Sequence, residues 1–272
     1  MTDSGNTLRR RVTAGIVENI DLAPTHPGHF RMIIDSPRLA KCARPGQFVH
    51  VLPAAGIDML RRPFSFHSLD KMNGHISILY RVIGEGTRLL SCVEPGGALD
   101  AIGPLGNGFP IDRDHPAILV GGGVGIPPLV FLASELKQPL VFIGARDIPA
   151  LVCIEDFSSM NIIPVIATED GSAGFKGLVT EAMDDYSDFR EQSVVHACGP
   201  IPMLAAVARW SEKRGFKCIV SLENKLGCGI GACLGCSIPV REKDGSIHYE
   251  RVCVDGPVFD ASRVAFDMIR RD

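Results

Sequence analysis

The stretch Cys228-Gly-Ile-Gly-Ala-Cys233-Leu-Gly-Cys236, followed after 16 further residues by Cys253, is the most informative part of the chain. Four thiolates can hold a [2Fe–2S] cluster, and a C-x4-C-x2-C spacing with a distant fourth cysteine is typical of plant-type ferredoxins. Structural zinc also takes four thiolates, but it more often binds paired C-x2-C knuckles. The spacing therefore favours a [2Fe–2S] centre on these four cysteines, with zinc as the alternative.

The loop between these cysteines is almost free of side chains. It contains Gly227, Gly229, Gly231 and Gly235, together with Ala232. A loop that wraps a wide inorganic core must aim backbone N–H groups at its sulfurs, and glycine adopts the positive φ angles that this requires. The small residues therefore strengthen the prediction of an iron–sulfur cluster.

Two β-type runs after Cys236 predict how Cys253 returns to this loop. Residues 237–240 and 247–252 resemble strands around the turn Lys243-Asp-Gly245. Such a hairpin would bring the fourth cysteine back to the first three. We expect residues 223–272 to form a small [2Fe–2S] domain.

The composition is that of a globular protein long enough for about two domains. The 272 residues are 46% hydrophobic and 22% charged, which excludes disordered and fibrous classes. A formal net charge of −3 excludes a general binder of nucleic acid or anionic lipid. Nine cysteines, and an N-terminal segment too polar for an export signal, argue against a secreted disulfide scaffold. We expect a cytoplasmic protein without a membrane span.

Two regions with different patterns precede the cysteine loop. Residues 8–112 contain short alternating runs separated by turn signals such as Arg44-Pro-Gly46, which predicts an antiparallel β-barrel. Residues 113–222 alternate between strand and helix patterns, beginning with Ala117-Ile-Leu-Val120, which predicts a parallel α/β sheet. The predicted fold class is therefore multidomain α+β, with a barrel, a parallel α/β domain and the small cluster domain.

A glycine-rich turn follows the first strand of the α/β region. Gly121, Gly122, Gly123 and Gly125 let the backbone approach a pyrophosphate, and the helix that starts near Pro127 offers free N–H groups. The turn is not the G-x-G-x-x-G fingerprint, and no acidic residue lies at the usual distance downstream. A nucleotide-binding turn and a tight turn that binds nothing both fit.

The segment Arg62-Pro-Phe-Ser65 is a second candidate for phosphate binding. Pro63 disfavours the helical region for Arg62, so the guanidinium can form a two-pronged contact with a phosphate beside the serine hydroxyl. Gly86 and Thr87 open a short helix that can receive a second phosphate. A solvated arginine and a simple helix cap by Thr87 are the alternatives.

Cys198-Gly199-Pro200 ends a predicted strand at the carboxyl edge of the parallel sheet, where α/β proteins bind ligands. Cys198 is the one candidate for a catalytic role there, and a simply buried cysteine is the alternative. The sequence contains no evident Ser-His-Asp or general-base constellation. We therefore expect the chemistry to come from cofactors.

Eight motifs in this order resemble the ferredoxin–NADP reductase superfamily, and within it the electron-transfer subunits of NAD-dependent (class B) dihydroorotate dehydrogenase. The resemblance covers nearly the whole chain. Phe64 departs from the smaller aliphatic residue that is frequent there, and the spacing to Cys253 is longer than expected, which predicts an extended last hairpin. The motifs are Pro45-Gly-Gln-Phe48, Arg62-Pro-Phe-Ser65, Leu79-Tyr-Arg81, Gly86-Thr87, Gly103-Pro-Leu-Gly106, Gly121-Gly-Gly-Val-Gly125-Ile-Pro127, Cys198-Gly-Pro200 and Cys228-Gly-Ile-Gly-Ala-Cys233-Leu-Gly-Cys236.

The resemblance implies a cofactor set and the residues that bind it. FAD would be bound by Arg62, Pro63, Phe64, Ser65, Leu79, Tyr80, Arg81, Gly86 and Thr87. NAD would face Gly121, Gly122, Gly123, Gly125, Cys198, Gly199 and Pro200, with Cys198 near the nicotinamide. The [2Fe–2S] cluster would be held by Cys228, Cys233, Cys236 and Cys253.

The resemblance also implies a redox relay in pyrimidine biosynthesis. An FMN-containing partner subunit would oxidise dihydroorotate, and electrons would pass through the cluster and FAD to NAD⁺, in a heterotetramer with two subunits of each kind. The runner-up is the small subunit of a sulfide dehydrogenase-like or NADH-dependent ferredoxin:NADP reductase complex, but Ala232 and Leu234-Gly235 fit the dihydroorotate family better. A non-catalytic redox sensor and a zinc-stapled binding module are alternatives from other classes.

Overall fold

The first part of the chain forms one antiparallel sheet in the computed structural model, which describes residues 10–53 and 60–269. Its elements are β1 (Arg10–Asp21), β2 (His29–Asp35), α1 (Pro37–Cys42), β3 (Phe48–Leu52), β4 (Arg62–Ser65), β5 (Ser68–Asp70), β6 (His75–Arg81), α2 (Glu85–Ser91) and β7 (Ala98–Leu105). The seven strands are hydrogen-bonded in the order β4-β3-β7-β1-β2-β6-β5.

This sheet curls until its two edges are joined by one run of chain. The edge strands β4 and β5 are consecutive, and only Phe66 and His67 separate them. Phe66 N–H donates to Gln47 O at 3.2 Å on one side, whereas His67 N–H donates to Ser77 O in β6 at 2.9 Å on the other. The predicted antiparallel barrel is thereby confirmed. Buried apolar side chains fill its interior, among them Ile34, Leu39, Val49, Phe66, Ile78 and Leu90.

A parallel sheet between two layers of helices follows. Its elements are β8 (Ala117–Gly122), α3 (Pro127–Glu135), β9 (Leu140–Ala145), α4 (Ile154–Ser159), β10 (Val165–Thr168), β11 (Phe175–Lys176), α5 (Val179–Asp185), β12 (Val194–Cys198), α6 (Ile201–Lys213) and β13 (Lys217–Ser221). Along the fully buried β8, Leu119 packs with α3 and α4, whereas Ile118 and Val120 pack with α5 and α6. Because both faces are covered, the strand is apolar throughout.

The strand order places a crevice beside β8. The order β11-β10-β9-β8-β12-β13 means that the chain runs outward through β9 and β10 and then returns to the other side of β8. Parallel sheets bind ligands at the carboxyl edge where the strand order reverses. Here that edge carries the ends of β8 at Gly122 and β12 at Cys198. The predicted parallel α/β region is confirmed, with its crevice between the two glycine-containing motifs.

The C-terminal residues add a hairpin and an edge strand. The strands are β14 (Ser237–Arg241), β15 (Ile247–Arg251) and β16 (Val258–Asp260). β14 pairs with β15, and β16 runs antiparallel to β13 at the edge of the parallel sheet. Cys236 and Cys253 share a buried core with Val220 of that sheet. The cluster segment is therefore packed onto the α/β layer, and the predicted α+β fold class is confirmed.

Several short elements are not predicted by the sequence pattern, namely α1, β5, α4, β11, β13 and β16. The strand predicted over 162–167 begins only at Val165, because Pro164 has no N–H to donate to the sheet. The helix predicted over 127–137 ends at Glu135. The domain boundaries at 112/113 and 222/223 stay predictions. Among the described residues, no helix is long and apolar enough to cross a membrane.

A polar network joins the barrel to the parallel α/β layer. His67 Nδ1 lies 2.7 Å from Ser77 Oγ, and His67 Nε2 lies 3.4 Å from Asp156 Oδ2 in α4. Arg31 Nη1 donates to Asp156 Oδ1 at 3.3 Å. The Cys153 thiol completes a group of ligand-type atoms within 4.8 Å of one another. Since Arg31 already balances the carboxylate, we interpret the group as a link between domains and not as a cation site.

We expect Asp156→Asn to weaken this link by about 1–3 kcal/mol. Burial raises the pKa of Asp156, but the hydrogen bond with His67 and the charge of Arg31 outweigh burial and hold the pKa below its usual 3.8. The stabilisation is therefore present at neutral pH and is lost as the pH falls through the folded-state pKa. The midpoint of thermal unfolding at pH 7 measures it. Glu155→Gln, an exposed change in the same helical turn, is the control, and an equal midpoint for both variants would contradict the link.

Candidate functional site

The cysteine loop arranges backbone N–H groups around its first thiol. The N–H groups of Ile230 and Ala232 donate to Cys228 Sγ at 3.5 and 3.3 Å, and Cys228 N–H donates to Cys233 Sγ at 3.4 Å. Burial disfavours the Cys228 thiolate, but hydrogen bonds from the backbone of Ile230 and Ala232 and from Cys233 outweigh burial and lower the pKa of Cys228 to about 6. The loop therefore stabilises the thiolate, which is the form that binds metal.

The four thiols are arranged as two pairs. Cys228 contacts Cys233, and Cys236 contacts Cys253, through their side chains. Within residues 10–53 and 60–269, one group of three metal-binding side chains has its ligand atoms all within 4.8 Å of one another, and it is the group at the domain link. No three of the four cysteine sulfurs are therefore close enough to surround one ion. Zinc, with Zn–S bonds of about 2.3 Å, would draw all four sulfurs to roughly 4 Å from one another. Two thiol pairs fit the two irons of a [2Fe–2S] cluster.

On the barrel, the side chain of Arg62 contacts the start of α2. A Cβ added to Gly86 would lie 3.1 Å from Arg62 Nε, so the guanidinium lies flat against this glycine. Thr87 Oγ1 accepts a hydrogen bond from Ile83 N–H at 3.0 Å and donates to Gly84 O at 3.0 Å. Arg62 and Gly86 are therefore brought together as expected, while the Thr87 hydroxyl is used in capping the helix.

The motif Leu79-Tyr-Arg81 at the end of β6 directs its side chains to different surroundings. Leu79 packs with the nucleotide-binding layer, and Arg81 is exposed. Tyr80 is directed into the barrel, where its hydroxyl donates to Asn19 Oδ1 at 3.0 Å and burial raises its pKa. Phe64 packs against the Tyr80 ring with centroids 5.5 Å apart. Any contact between residue 80 and a flavin would therefore come from its backbone.

At the carboxyl edge of the parallel sheet, the two predicted nucleotide motifs interlock. Cys198 is paired in register with Gly121. A Cβ on Gly125 would lie 2.5 Å from the carbonyl carbon of Cys198, and a Cβ on Gly122 would lie 3.3 Å from Pro200 Cδ. Gly199 adopts a φ of +156°, which favours glycine. Gly125 and Gly199 are therefore required for packing here, beside any role in binding a nucleotide.

The start of α3 offers fewer hydrogen-bond donors than the sequence suggests. The helix begins with Pro127 and Pro128, neither of which has a backbone N–H. The Ile126 N–H is bonded to Gly123 O at 3.2 Å. Contact with an anion at this edge would thus come from the glycine turn before the helix, and the expectation of free helical N–H groups is corrected.

Cys198 lies partly exposed at this edge, paired in register with Gly121. Burial raises the pKa of its thiol to about 12, although a hydrogen bond with the Ser221 side chain lowers it slightly. The thiol is therefore protonated at neutral pH, and reactive cysteines need the thiolate. The structure places Cys198 beside the predicted nucleotide turn, and a catalytic role for it stays a prediction.

One buried residue at the site is not predicted by the sequence analysis. His50 in β3 is fully buried, and a Cβ on Gly229 of the cysteine loop would overlap its ring. The sequence signal is a polar residue within the apolar run Phe48-Val-His-Val-Leu52. His50 precedes Cys228 by 178 residues in the sequence, so the contact between His50 and the cysteine loop follows only from the fold.

Comparison with known proteins identifies the family. A family profile for the iron-sulfur cluster binding domain of dihydroorotate dehydrogenase B matches residues 223–265. The chain is 40% identical over 247 residues to the dihydroorotate dehydrogenase B (NAD(+)) electron transfer subunit of Desulforamulus reducens, covering 89% of this chain and 94% of that protein. It is 43% identical over 226 residues to the subunit of the same name from Caldanaerobacter subterraneus subsp. tengcongensis, covering 83% and 89%. The chain belongs to the family of dihydroorotate dehydrogenase B electron transfer subunits.

Solved structures agree with the fold described above. A structure of an NADH-dependent reduced ferredoxin–NADP oxidoreductase matches with a TM-score of 0.81 and 31% identity, covering 93% of this chain and 90% of that one. A ferredoxin–NADP⁺ reductase from Neisseria gonorrhoeae, at 14% identity and a TM-score of 0.61 over 75% and 92%, shares the fold. The expected family, the oxidoreductase class and the cofactor set of [2Fe–2S], FAD and NAD are confirmed, and the curated relatives do not favour the runner-up.

We expect Cys233→Ser to remove the iron and the visible absorption of the cluster while FAD is retained, because one of the four thiolates is lost. Iron analysis and the absorption spectrum of the anaerobically purified protein provide the measurement. Cys92→Ser, at an exposed cysteine outside the loop, is the control and should keep its iron. Unchanged iron content in Cys233→Ser would overturn the ligand assignment.

We expect Arg62→Ala to lose most of its FAD, since the guanidinium beside Gly86 can form a two-pronged contact with a phosphate. Flavin released by denaturation, relative to protein, measures the loss. Arg113→Ala removes an exposed arginine that pairs with Glu135 and should leave flavin content unchanged. A full flavin complement in Arg62→Ala would refute this placement.

Proposed function

We propose that this chain passes electrons from an FMN-containing, dihydroorotate-oxidising subunit to NAD⁺, as a step in pyrimidine biosynthesis. The observation that carries the proposal is the continuity of three binding segments. Ser221, at the end of β13, lies beside Cys198 at the nucleotide edge, and the chain then runs to Cys228. The cysteine loop in turn packs on His50, which neighbours Arg62 of the flavin segment.

The chain's residues would hold the cofactors and shield them from water. FAD exchanges hydride with a nicotinamide and single electrons with an iron–sulfur cluster, so it links the two kinds of carrier. Arg62 offers a two-pronged cationic contact for phosphate, and Gly86 leaves room for it. Leu79 closes the seam between the barrel and the nucleotide-binding layer. Cys198 keeps a neutral thiol at the edge where the nicotinamide would lie.

We assign the remaining positions from the family pattern, with the contacts above in support. FAD binding is proposed for Arg62, Pro63, Phe64, Ser65, Leu79, Tyr80, Arg81, Gly86 and Thr87, with Tyr80 acting through its backbone. NAD binding is proposed for Gly121, Gly122, Gly123, Gly125, Cys198, Gly199 and Pro200.

The partner would dock at the cysteine loop. Cys233 is exposed there, and the apolar side chains of Ile230 and Leu234 are 44% and 65% exposed beside it. Exposed apolar groups next to a redox centre suit a protein surface that must approach the cluster closely. We propose the FMN-containing catalytic subunit as that partner, in a heterotetramer of two subunits of each kind located in the cytoplasm.

The test is to isolate the tagged chain anaerobically from its host and to assay the eluate for dihydroorotate-dependent reduction of NAD⁺. We expect activity together with a co-purified FMN protein, and faster oxidation of NADH than of NADPH. A brown flavoprotein that reduces dyes with NADH but ignores dihydroorotate would transfer the function to the ferredoxin:NADP reductase type. A colourless, metal-containing protein would indicate the zinc-stapled module.

A further inference from the structure

His50 lies at the contact between the barrel and the cysteine loop. Its strand β3 pairs with β4 on one side, opposite Pro63, and with β7 on the other, opposite Ile102. The side chain has no exposed surface. On the loop side, a Cβ at Gly229 would overlap His50 Nδ1 and lie 2.9 Å from Cε1. Gly229 therefore lies directly against the imidazole ring, next to the first cluster cysteine.

The ring is polar in a place where core packing alone would favour an apolar side chain. Neither Nδ1 nor Nε2 has a hydrogen-bond partner among the residues that the structure describes. Buried polar atoms are nearly always paired, so an unpaired histidine calls for an explanation. The backbones of Arg61 and Cys228 lie against the ring, and the charges of Arg61 and Arg62 face it. The ring thus lies between the flavin-binding segment and the first ligand of the cluster.

We propose that His50 is a positioning residue for the cluster, which holds the Gly229 turn against the barrel and raises the cluster's reduction potential by directing an N–H towards the Cys228 ligand segment. This inference rests on the proposed placement of the cluster on the four cysteines. A neutral imidazole always carries one N–H donor. Donors and burial next to metal ligands orient those ligands and tune their potential, because a donor stabilises the more negative, reduced state.

The two roles separate by substitution. His50→Asn keeps an amide that can donate near the position of Nδ1, the edge that faces Gly229. His50→Leu keeps apolar volume and removes the donor. If the ring only filled space, leucine would replace it better than asparagine. If the N–H matters, asparagine would replace it better than leucine.

The measurement is the potential of the cluster in the complete complex with its partner, followed by electron paramagnetic resonance during a redox titration. We expect both variants to retain iron and FAD, His50→Leu to have a lower cluster potential and shifted g values, and His50→Asn to remain close to wild type. A wild-type potential in His50→Leu, or an equal fall in both variants, would overturn the role of the donor.

A second pair of variants tests the contact between His50 and Gly229 independently, should His50→Leu fail to assemble. Gly229 and Gly245 have similar positive φ values of +70° and +84°, but only Gly229 has a neighbour within 4 Å of an added Cβ. We expect Gly229→Ala to change the cluster's g values and Gly245→Ala to leave them unchanged. Equal spectra for the two variants would overturn the claim that the contact between Gly229 and His50 positions the cysteine loop.

Failure of the wider assignment gives a different result. If the wild-type complex lacks iron, or if Cys233→Ser keeps it, the cluster is not where the proposed function places it. If the wild type shows the cluster and Cys233→Ser loses it, while the His50 variants match the wild type, only the inference about His50 is wrong.

Discussion

The pairing of β16 with β13 is the interaction on which the relative placement of the binding segments depends. The chain leaves the parallel sheet after Ser221 and returns to it at Val258, so both ends of the cluster segment are fixed to adjacent strands. Asn107 N–H, in the loop after β7, donates to Gly256 O at 2.6 Å and ties the same segment to the barrel. A segment held at both ends and on its side can keep a redox centre at a constant distance from the flavin-binding barrel.

Local chemistry made the cluster and the fold class predictable from sequence. Cysteine spacing is a direct consequence of what the metal centre needs, and the glycine turn at Gly121–Gly125 marks the first strand of the parallel sheet. The contacts that position the site were not predictable, because they join distant parts of the chain. The His67–Asp156 contact, the contact of Gly229 with His50, and the three-residue strand β16 have no signal within a local window.

Two predicted site residues show why a motif does not specify which atom acts. Tyr80 lies in a flavin motif, but its hydroxyl is bonded to Asn19 inside the barrel. Thr87 lies at a helix start, but its hydroxyl caps the preceding loop at Ile83. In both cases the hydroxyl is bonded within the scaffold. The residue type is needed at that position, although its functional group need not touch a cofactor.

The surface of the cysteine loop must satisfy opposite requirements on its two faces. Its inner face needs the left-handed turn at Gly229, since any side chain there would collide with His50. Its outer face exposes Ile230 and Leu234, which have no place in the core. A loop with positive φ at both Gly229 and Leu234 can turn one face to the barrel and the other to solvent within a few residues. The fold thus supplies a cysteine loop that is anchored inward to the barrel and open outward to solvent, an arrangement that suits the proposed one-electron transfer between subunits.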